Sequence, residues 1–307
     1  MRHSWKIINL EKRFFYKSSE NCFTISPNYS LIDFPGLKKM SVQVKAKVTA
    51  YIMAKNEESR IAQCIESLKW CDEVVVADTG STDNTVEIAR NMGCLIMKIP
   101  FEGFGPTRNS IIDKIESPWI VCFDADEVCT PELAAEIKQA ARTDRASAFL
   151  ANRLTFLMGK PVKHSGWNPD FRHAVLFKKG EYRYTERNIH ESFECLGKVE
   201  KLKAVFYHYS FPSLSDMLAK EKSYSQLGAK ELLKQGKNVS VGKGVAHGIW
   251  AFCRHFFIKK GFLDGWRGLL VASSSAHATL FRYALAYEMK RKREPNETRL
   301  KQNHEGT

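Results

Sequence analysis

An α/β fold, with a mostly parallel sheet and helices on both faces, is what this sequence predicts, followed by a basic and aromatic helical region at the C-terminal end. Three observations carry the reading. Strand-like apolar runs and helix-like patterns alternate from Val48 to about Ala141, as sheets with crossover helices require. Polar or acidic groups follow the strand ends at Asn56-Glu57, Asp78 and Asp124/Asp126, where ligands sit in such sheets. At 307 residues the chain can bury a full core.

Taken in order, Val48–Met53 is the first strand, and the helix over Glu58–Lys69 lines Ile61, Ile65 and Leu68 along one face. Val74–Ala77 is the second strand and ends at Asp78. Gly80-Ser81-Thr82-Asp83 turns and caps a helix reaching about Asn91, which Gly93 stops. Cys94–Ile99 is the third strand and Thr107–Ile115 a short helix. Trp119–Phe123 is the fourth strand, and Pro131 opens a helix to Ala141 at the favoured first position. Shorter strands follow at Phe149–Phe156, His173–Lys178 and Val205–Tyr209, then a helix over Leu214–Leu233. Residues 1–45 read as a loosely ordered extension, 46–212 as the α/β domain, 213–290 as a helical region and 291–307 as a disordered polar tail. Met40, just ahead of the first strand, is an alternative start.

The net charge of +13 is unevenly placed: residues 201–307 hold 19 Lys+Arg against 8 Asp+Glu, and residues 1–200 hold 28 against 26. The last third therefore expects an anionic partner. From Trp250 to Arg267, aromatic and aliphatic residues interleave with Arg254, Lys259 and Lys260, a pattern suited to a helix lying in an anionic membrane interface. No nucleic-acid-binding module accompanies the charge. No apolar run reaches the ~18 residues of a spanning helix, and the N-terminus lacks a signal-peptide core. Eight cysteines without a C-x-x-C pair read as reduced thiols of a cytosolic protein.

The chemistry concentrates in Val121-Cys122-Phe123-Asp124-Ala125-Asp126-Glu127. Carboxylates leaving a buried strand are costly unless a cation or a ligand's donors neutralise them, and paired acids suit Mg²⁺ or Mn²⁺ shared with phosphates. Asp78-Thr79-Gly80 matches the aspartic-protease triplet, but no second such triplet supplies the partner aspartate. Asp124-Ala125-Asp126-Glu127-Val128 also matches the nucleophile element of haloacid-dehalogenase-like phosphatases, but three strands precede it where it should be first.

The segments Val48–Glu58, Val74–Thr85, Arg108-Asn109 and Phe123–Glu127 together resemble the nucleotide-sugar-binding core of inverting family 2 glycosyltransferases of the GT-A fold. Asn168-Pro169-Asp170 with Arg172, and Asn188-Ile189-His190-Glu191, extend the resemblance to about residue 210. Within the family the chain is most similar to the branch that adds β-1,4-linked glucose to the heptose of lipopolysaccharide core. The resemblance implies that Ala54, Asn56 and Glu57 line the nucleoside pocket and that Asp78 accepts from the uracil ring N–H. It implies that Asp124 contacts the ribose and Asp126 ligates Mg²⁺ or Mn²⁺ at the diphosphate, with His208 the candidate to complete the metal site. Arg108, at a helix start, would contact the diphosphate. Glu191 would be the acceptor base with His190 as alternative base or orienter, and Trp167, Asn168, Asp170 and Arg172 would face the acceptor. The expected partners are a UDP-sugar, with UDP-glucose foremost, and a phosphorylated glycolipid at the inner face of the inner membrane. A non-catalytic, membrane-associated sugar-nucleotide-binding protein is the alternative, and the intact acids speak against it.

Overall fold

The chain divides into two units, one ending at Ala46 and one starting at Lys47. A computed structural model describes residues 46–185 and 192–304, with side chains to residue 292, and three strands near the N-terminus. Those three strands, β1 (Lys6–Leu10), β2 (Arg13–Lys17) and β3 (Cys22–Ile25), form an antiparallel meander within the expected loosely ordered extension.

In the second unit, β4 (Val48–Ala54), β5 (Glu73–Asp78), β6 (Leu95–Lys98) and β7 (Trp119–Asp124) run parallel, with β4 between β5 and β7. Their crossovers contain α1 (Ile61–Leu68), α2 (Thr85–Asn91) and α3 (Phe104–Lys114). α1 buries Ile61, Cys64, Ile65 and Leu68, a single stripe at helical spacing. Trp119 to Phe123 are all buried, as a central strand covered on both faces requires.

Beyond β7 the chain turns at once into β8 (Glu127–Cys129) and α4 (Pro131–Thr143), which Thr130 caps by accepting from Leu133 N at 3.2 Å. β9 (Ala148–Leu157) follows, paired with the two-residue β10 (Lys160–Pro161). β11 (Ala174–Lys178) then enters the sheet antiparallel between β7 and β9. β12 (Tyr182–Tyr184) and β13 (Phe193–Cys195) make a separate pair, and β14 (Val199–Phe211) lies parallel to β9 and antiparallel to β8. The mixed sheet runs β6-β5-β4-β7-β11-β9-β14-β8, the α/β layout expected from the sequence.

The C-terminal region is helical: α5 (Leu214–Lys234), α6 (Val241–Cys253), a π-helical turn (Arg254–Ile258), a 3-10 turn (Gly261–Asp264) and α7 (Trp266–His304). A Ser213/Asp216 capping box starts α5. Gly244 and Gly248 let α6 approach α7 closely; a Cβ at either would come within 2.9 Å of Tyr283 Cβ or 3.0 Å of the Ala276 carbonyl oxygen. The stretch from Trp250 to Arg267 is not the single helix expected. Lys260 (φ 55°) and Gly265 (φ 61°) take left-handed backbone and divide it into a helix end, two turns and a new helix. α7 also continues through the polar stretch after Arg291, whose Lys, Arg and Glu are good helix formers. No described helix is long and apolar enough to cross a membrane.

Ile65, fully buried under the sheet, is a probe of this core. Ile65→Ala lowers the unfolding free energy by about 2–5 kcal/mol in urea titrations; a loss below about 1 kcal/mol would show that α1 is not packed as described.

Candidate active site

Asp78 and Asp124 end strands on either side of β4, in register with Ala54 and Met53. Neighbouring strands lie ~4.8 Å apart, so the two residues flank one strand end, and their one-residue difference in register starts their side chains from opposite faces of the sheet. The loops after β4 and β5 are joined residue by residue. Ala54 O accepts from Thr79 N, Asn56 N donates to Ser81 Oγ, and Asn56 Oδ1 accepts from Thr82 N, at 3.0, 3.0 and 2.8 Å. Glu57 N donates to Thr85 Oγ1 at 2.7 Å. Asp78, buried, accepts from Ser81 N at 2.9 Å. Asn56 adopts φ 56°, a left-handed conformation that asparagine tolerates better than most residues.

Asp124, Asp126 and Glu127 diverge as the chain leaves β7, and each meets a different cation. Asp124 Oδ1 accepts from Arg108 Nη2 at 2.7 Å. Arg108 was expected at the diphosphate; it is 1 % exposed and lies beneath the rim, with Nη1 3.1 Å from Cys122 Sγ and its guanidinium 5.4 Å from the Tyr184 ring centroid. Burial alone would raise the Asp124 pKa, but Arg108 outweighs it and holds the carboxyl below its usual range. His173 sits behind this pair, and burial, reinforced by Arg108, pushes its pKa down to about 3, so it is neutral.

Asp126 Oδ2 lies 3.4 Å from His208 Nε2, 3.9 Å from Lys220 Nζ and 4.0 Å from Arg60 Nη1. Burial opposes its ionisation, yet the hydrogen bond of His208, then the charges of Lys220 and Arg60, keep Asp126 well below the usual carboxylate range. His208 faces Glu127 across the β14–β8 ladder, and its Nδ1 meets Thr155 Oγ1 at 3.2 Å. Burial lowers the His208 pKa despite Asp126, which favours the neutral imidazole that a metal ligand must be. Arg60 also pairs with Glu57 at 2.7 Å; burial nevertheless leaves Glu57 with a raised pKa. The donor set of one ionised carboxylate and one neutral imidazole fits a divalent cation. Among the described residues no group of three or more His, Cys, Asp or Glu could hold an ion. Any ion there would take further ligands from a bound diphosphate or water.

Glu127 is fully buried, and burial and then Asp124 push its pKa well up. Its Oε2 accepts from Asp124 N at 2.9 Å, and its Oε1 is 3.6 Å from Arg153 Nη1. Arg153 in turn donates from Nε and Nη2 to Asp170 Oδ2 at 3.1 and 2.8 Å. Asp170 is thus engaged with Arg153 and, at 3.1 Å, with Arg172 Nε, rather than free to meet an acceptor. Asn168 precedes a cis Pro169, and its Oδ1 accepts from Asn152 Nδ2 at 2.8 Å. Trp167 stacks on Phe211 with ring centroids 5.3 Å apart, in a cluster with Leu157, Val162, Met217 and Val271. Of the four expected acceptor residues, Arg172 offers the most surface, its side chain 69 % exposed. His190 and Glu191 lie outside the described residues.

The loop ahead of Trp167 is clamped from the C-terminal helices. Asp264 accepts from Lys163 N, His164 N and Ser165 Oγ at 3.0, 3.0 and 2.8 Å, and Ser165 N donates to Lys259 O at 3.0 Å. Sequence reasoning missed Arg60, Arg153, Lys220 and Asp264, none of which belongs to a recognisable spacing. Glu127 was visible only as the acid next to Asp126.

Arg153 links the acidic rim to this loop, so removing its charge leaves Glu127 and Asp170 without their shared cation. Arg153→Met destabilises the protein by about 1–3 kcal/mol, since Asp170 keeps Arg172 and Glu127 is pushed toward its neutral form. Calorimetry checks this, and an unchanged melting temperature would contradict the network.

The family model described as Glycosyl transferase family 2 matches residues 49–205, just over half the chain. A glycosyltransferase of Rickettsia prowazekii is 31% identical, over 78% of this chain and 86% of its own length. The lipopolysaccharide core biosynthesis glycosyltransferase LpsC of Rhizobium meliloti is 26% identical, over 78% of this chain and 94% of its own. Among solved structures, TarS residues 1–349 of S. aureus is 16% identical with a TM-score of 0.39, covering 80% of this chain and 91% of that one. With its family model spanning the sheet from β4 into β14, and with relatives matched over most of both chains, the protein is a glycosyltransferase and belongs to glycosyl transferase family 2.

Proposed function

We propose that this protein transfers a hexose, glucose foremost, from a UDP-sugar to a phosphorylated glycolipid of the lipopolysaccharide-core type, with inversion at the anomeric carbon. The observation that carries the reading is the Asp126–His208 pair beside the ionised Asp124, at the end of the strand that family 2 enzymes use for the donor diphosphate. Similarity to LpsC, a lipopolysaccharide core glycosyltransferase, supports the acceptor class.

Asp78 accepts from the uracil ring N–H, with Ala54, Asn56 and Glu57 forming the wall of the nucleoside pocket. Asp124, held ionised and oriented by Arg108, accepts from the ribose hydroxyls. Asp126 and His208 are the residues that would hold Mg²⁺ or Mn²⁺. When bound, such a cation offsets the charge that develops on departing UDP. Arg108 acts through Asp124 and not on the phosphates directly. On the other side of the sugar, Arg172 meets the anionic acceptor, and Trp167, Asn168 and Asp170 shape the loop that presents it. Glu191 takes the proton of the attacking hydroxyl as its oxygen bonds to the anomeric carbon and the bond to UDP breaks; His190 orients it. The basic C-terminal region keeps the protein peripheral on the inner face of the inner membrane, within reach of a lipid-linked acceptor.

Release of UDP from UDP-glucose in the presence of a lipopolysaccharide-core acceptor tests the reading. Glu191→Gln retains UDP binding and loses about 10²–10⁴-fold in turnover; near-normal turnover removes Glu191 from the base role. Asp126→Asn abolishes the response of UDP release to added Mn²⁺. A variant still stimulated by Mn²⁺ as the wild type is would move the metal elsewhere.

A further inference from the structure

Between α6 and α7 the helical region opens a cavity of about 500 Å³ lined by His247, Trp250, Arg254, His255, Arg282 and Tyr283. Its charged groups are all basic: no carboxylate lines it, and among the described residues none lies within ion-pair distance of Arg254 or Arg282. The hydroxyls of Thr279 and Ser275, also on the wall, donate at 2.8 Å to the carbonyl oxygens of Ser275 and Val271. The donors left for a ligand therefore include the guanidinium and imidazole N–H groups, the Trp250 indole N–H and the Tyr283 hydroxyl. The His247 ring stacks on Tyr283, and His255 Nδ1 is held by Ser165 O at 2.6 Å, so both rings are fixed in place. Two guanidinium groups around one cavity repel each other unless an anion joins them, and their planar forks match phosphate oxygens.

Next along the chain from the cavity's Trp250, Arg254 and His255 come exposed apolar residues, an apolar collar in sequence. Ile249 near the end of α6, Phe257, Ile258, Phe262 and Leu263 in the two turns beyond, and Trp266 at the start of α7 are each 49 to 62% exposed. Apolar exposure on this scale marks an interaction surface. Lys259 and Lys260 stand exposed among these residues. Charges so placed are excluded from the core of a protein interface but accommodated by an anionic headgroup layer. Free phosphate would engage the arginines and leave the collar in water. A ligand that joins phosphate to an apolar body satisfies both.

We propose that this cavity binds the phosphate of an anionic lipid headgroup, with the collar inserted into the surrounding acyl boundary. The inference rests on the peripheral-membrane reading above and adds the residues and the headgroup chemistry to it. It does not depend on which sugar is transferred.

Co-sedimentation of the full chain with phosphatidylglycerol/phosphatidylcholine vesicles tests it. The wild type binds these vesicles, and Arg254→Gln with Arg282→Gln weakens binding at least tenfold. Lys230→Gln with Lys237→Gln, which removes two charges from exposed positions on α5 and just beyond it, stays within threefold of the wild type. Circular dichroism establishes that the variants are folded. For the wild type itself, inorganic phosphate displaces the protein from vesicles more than chloride does at equal ionic strength. Equal binding by the arginine variant, equal loss in the lysine variant, or no difference between phosphate and chloride overturns the headgroup site while the peripheral-membrane reading stands. Absence of vesicle binding by the wild type overturns both. Arginine-dependent uptake of inorganic phosphate without vesicle binding would identify the cavity as a free-anion site and overturn the lipid assignment.

Discussion

Three carboxylates within four residues, at the end of a strand buried on both faces, are the constraint around which this molecule is arranged. Unpaired, such a cluster would not stay ionised. Each acid is answered from a different part of the chain: Asp124 by Arg108 on α3, Glu127 by Arg153 on β9, and Asp126 by His208 on β14 with Lys220 on α5 and Arg60 ahead of α1. The placement of β9, β14 and α5 against the parallel half of the sheet is thus also the placement of these partners. The three acids end in different electrostatic states. Asp124 and Asp126 are held as anions, while Glu127 is pushed toward its neutral form. A rim built in this way is prepared for ligands before they arrive, which is how a site avoids reorganisation during reaction.

The same arrangement explains why Arg108 is beneath the rim and not on it. A guanidinium on the rim would be free for a ligand, but one pressed against Asp124 serves that carboxylate. Tyr184 and Cys122 complete its surroundings, leaving it almost no exposed surface. Asp170 follows the same logic on the loop after β10. Its carboxylate is shared by Arg153 and Arg172, so the loop containing Trp167 and Asn168 is tied electrostatically to the acids of β7.

The parallel strands and their acidic ends were legible in the sequence because each ends an apolar run, and a run followed by a carboxylate is a local pattern. His208 was legible as a histidine at the end of a late strand, and it stands beside Asp126. Arg60, Arg153 and Lys220 were not legible, since one cation on a helix or strand has no spacing to recognise and its partner is distant along the chain. Trp167 was expected at the acceptor because aromatic planes suit sugars; its ring is instead engaged with Phe211, a contact decided by where β14 ends. The division of Trp250–Arg267 had a visible sign in Gly261 and Gly265, but the aromatic and basic periodicity around them suggested one continuous helix.

Asp264 bears on where one part of this protein stops and the next starts. The stretch common to the family ends at residue 205, which would make the C-terminal helices an attachment to a finished enzyme. Physically they are not separable. The turn at Asp264 organises the backbone of Lys163 to Ser165, and Arg267 donates to the carbonyls of Leu157 and Met158. A chimera joined near residue 205 would carry a loop at Lys163 to Ser165 shaped for helices it no longer has. The unit of exchange in engineering or recombination is therefore the sheet and its helical region together.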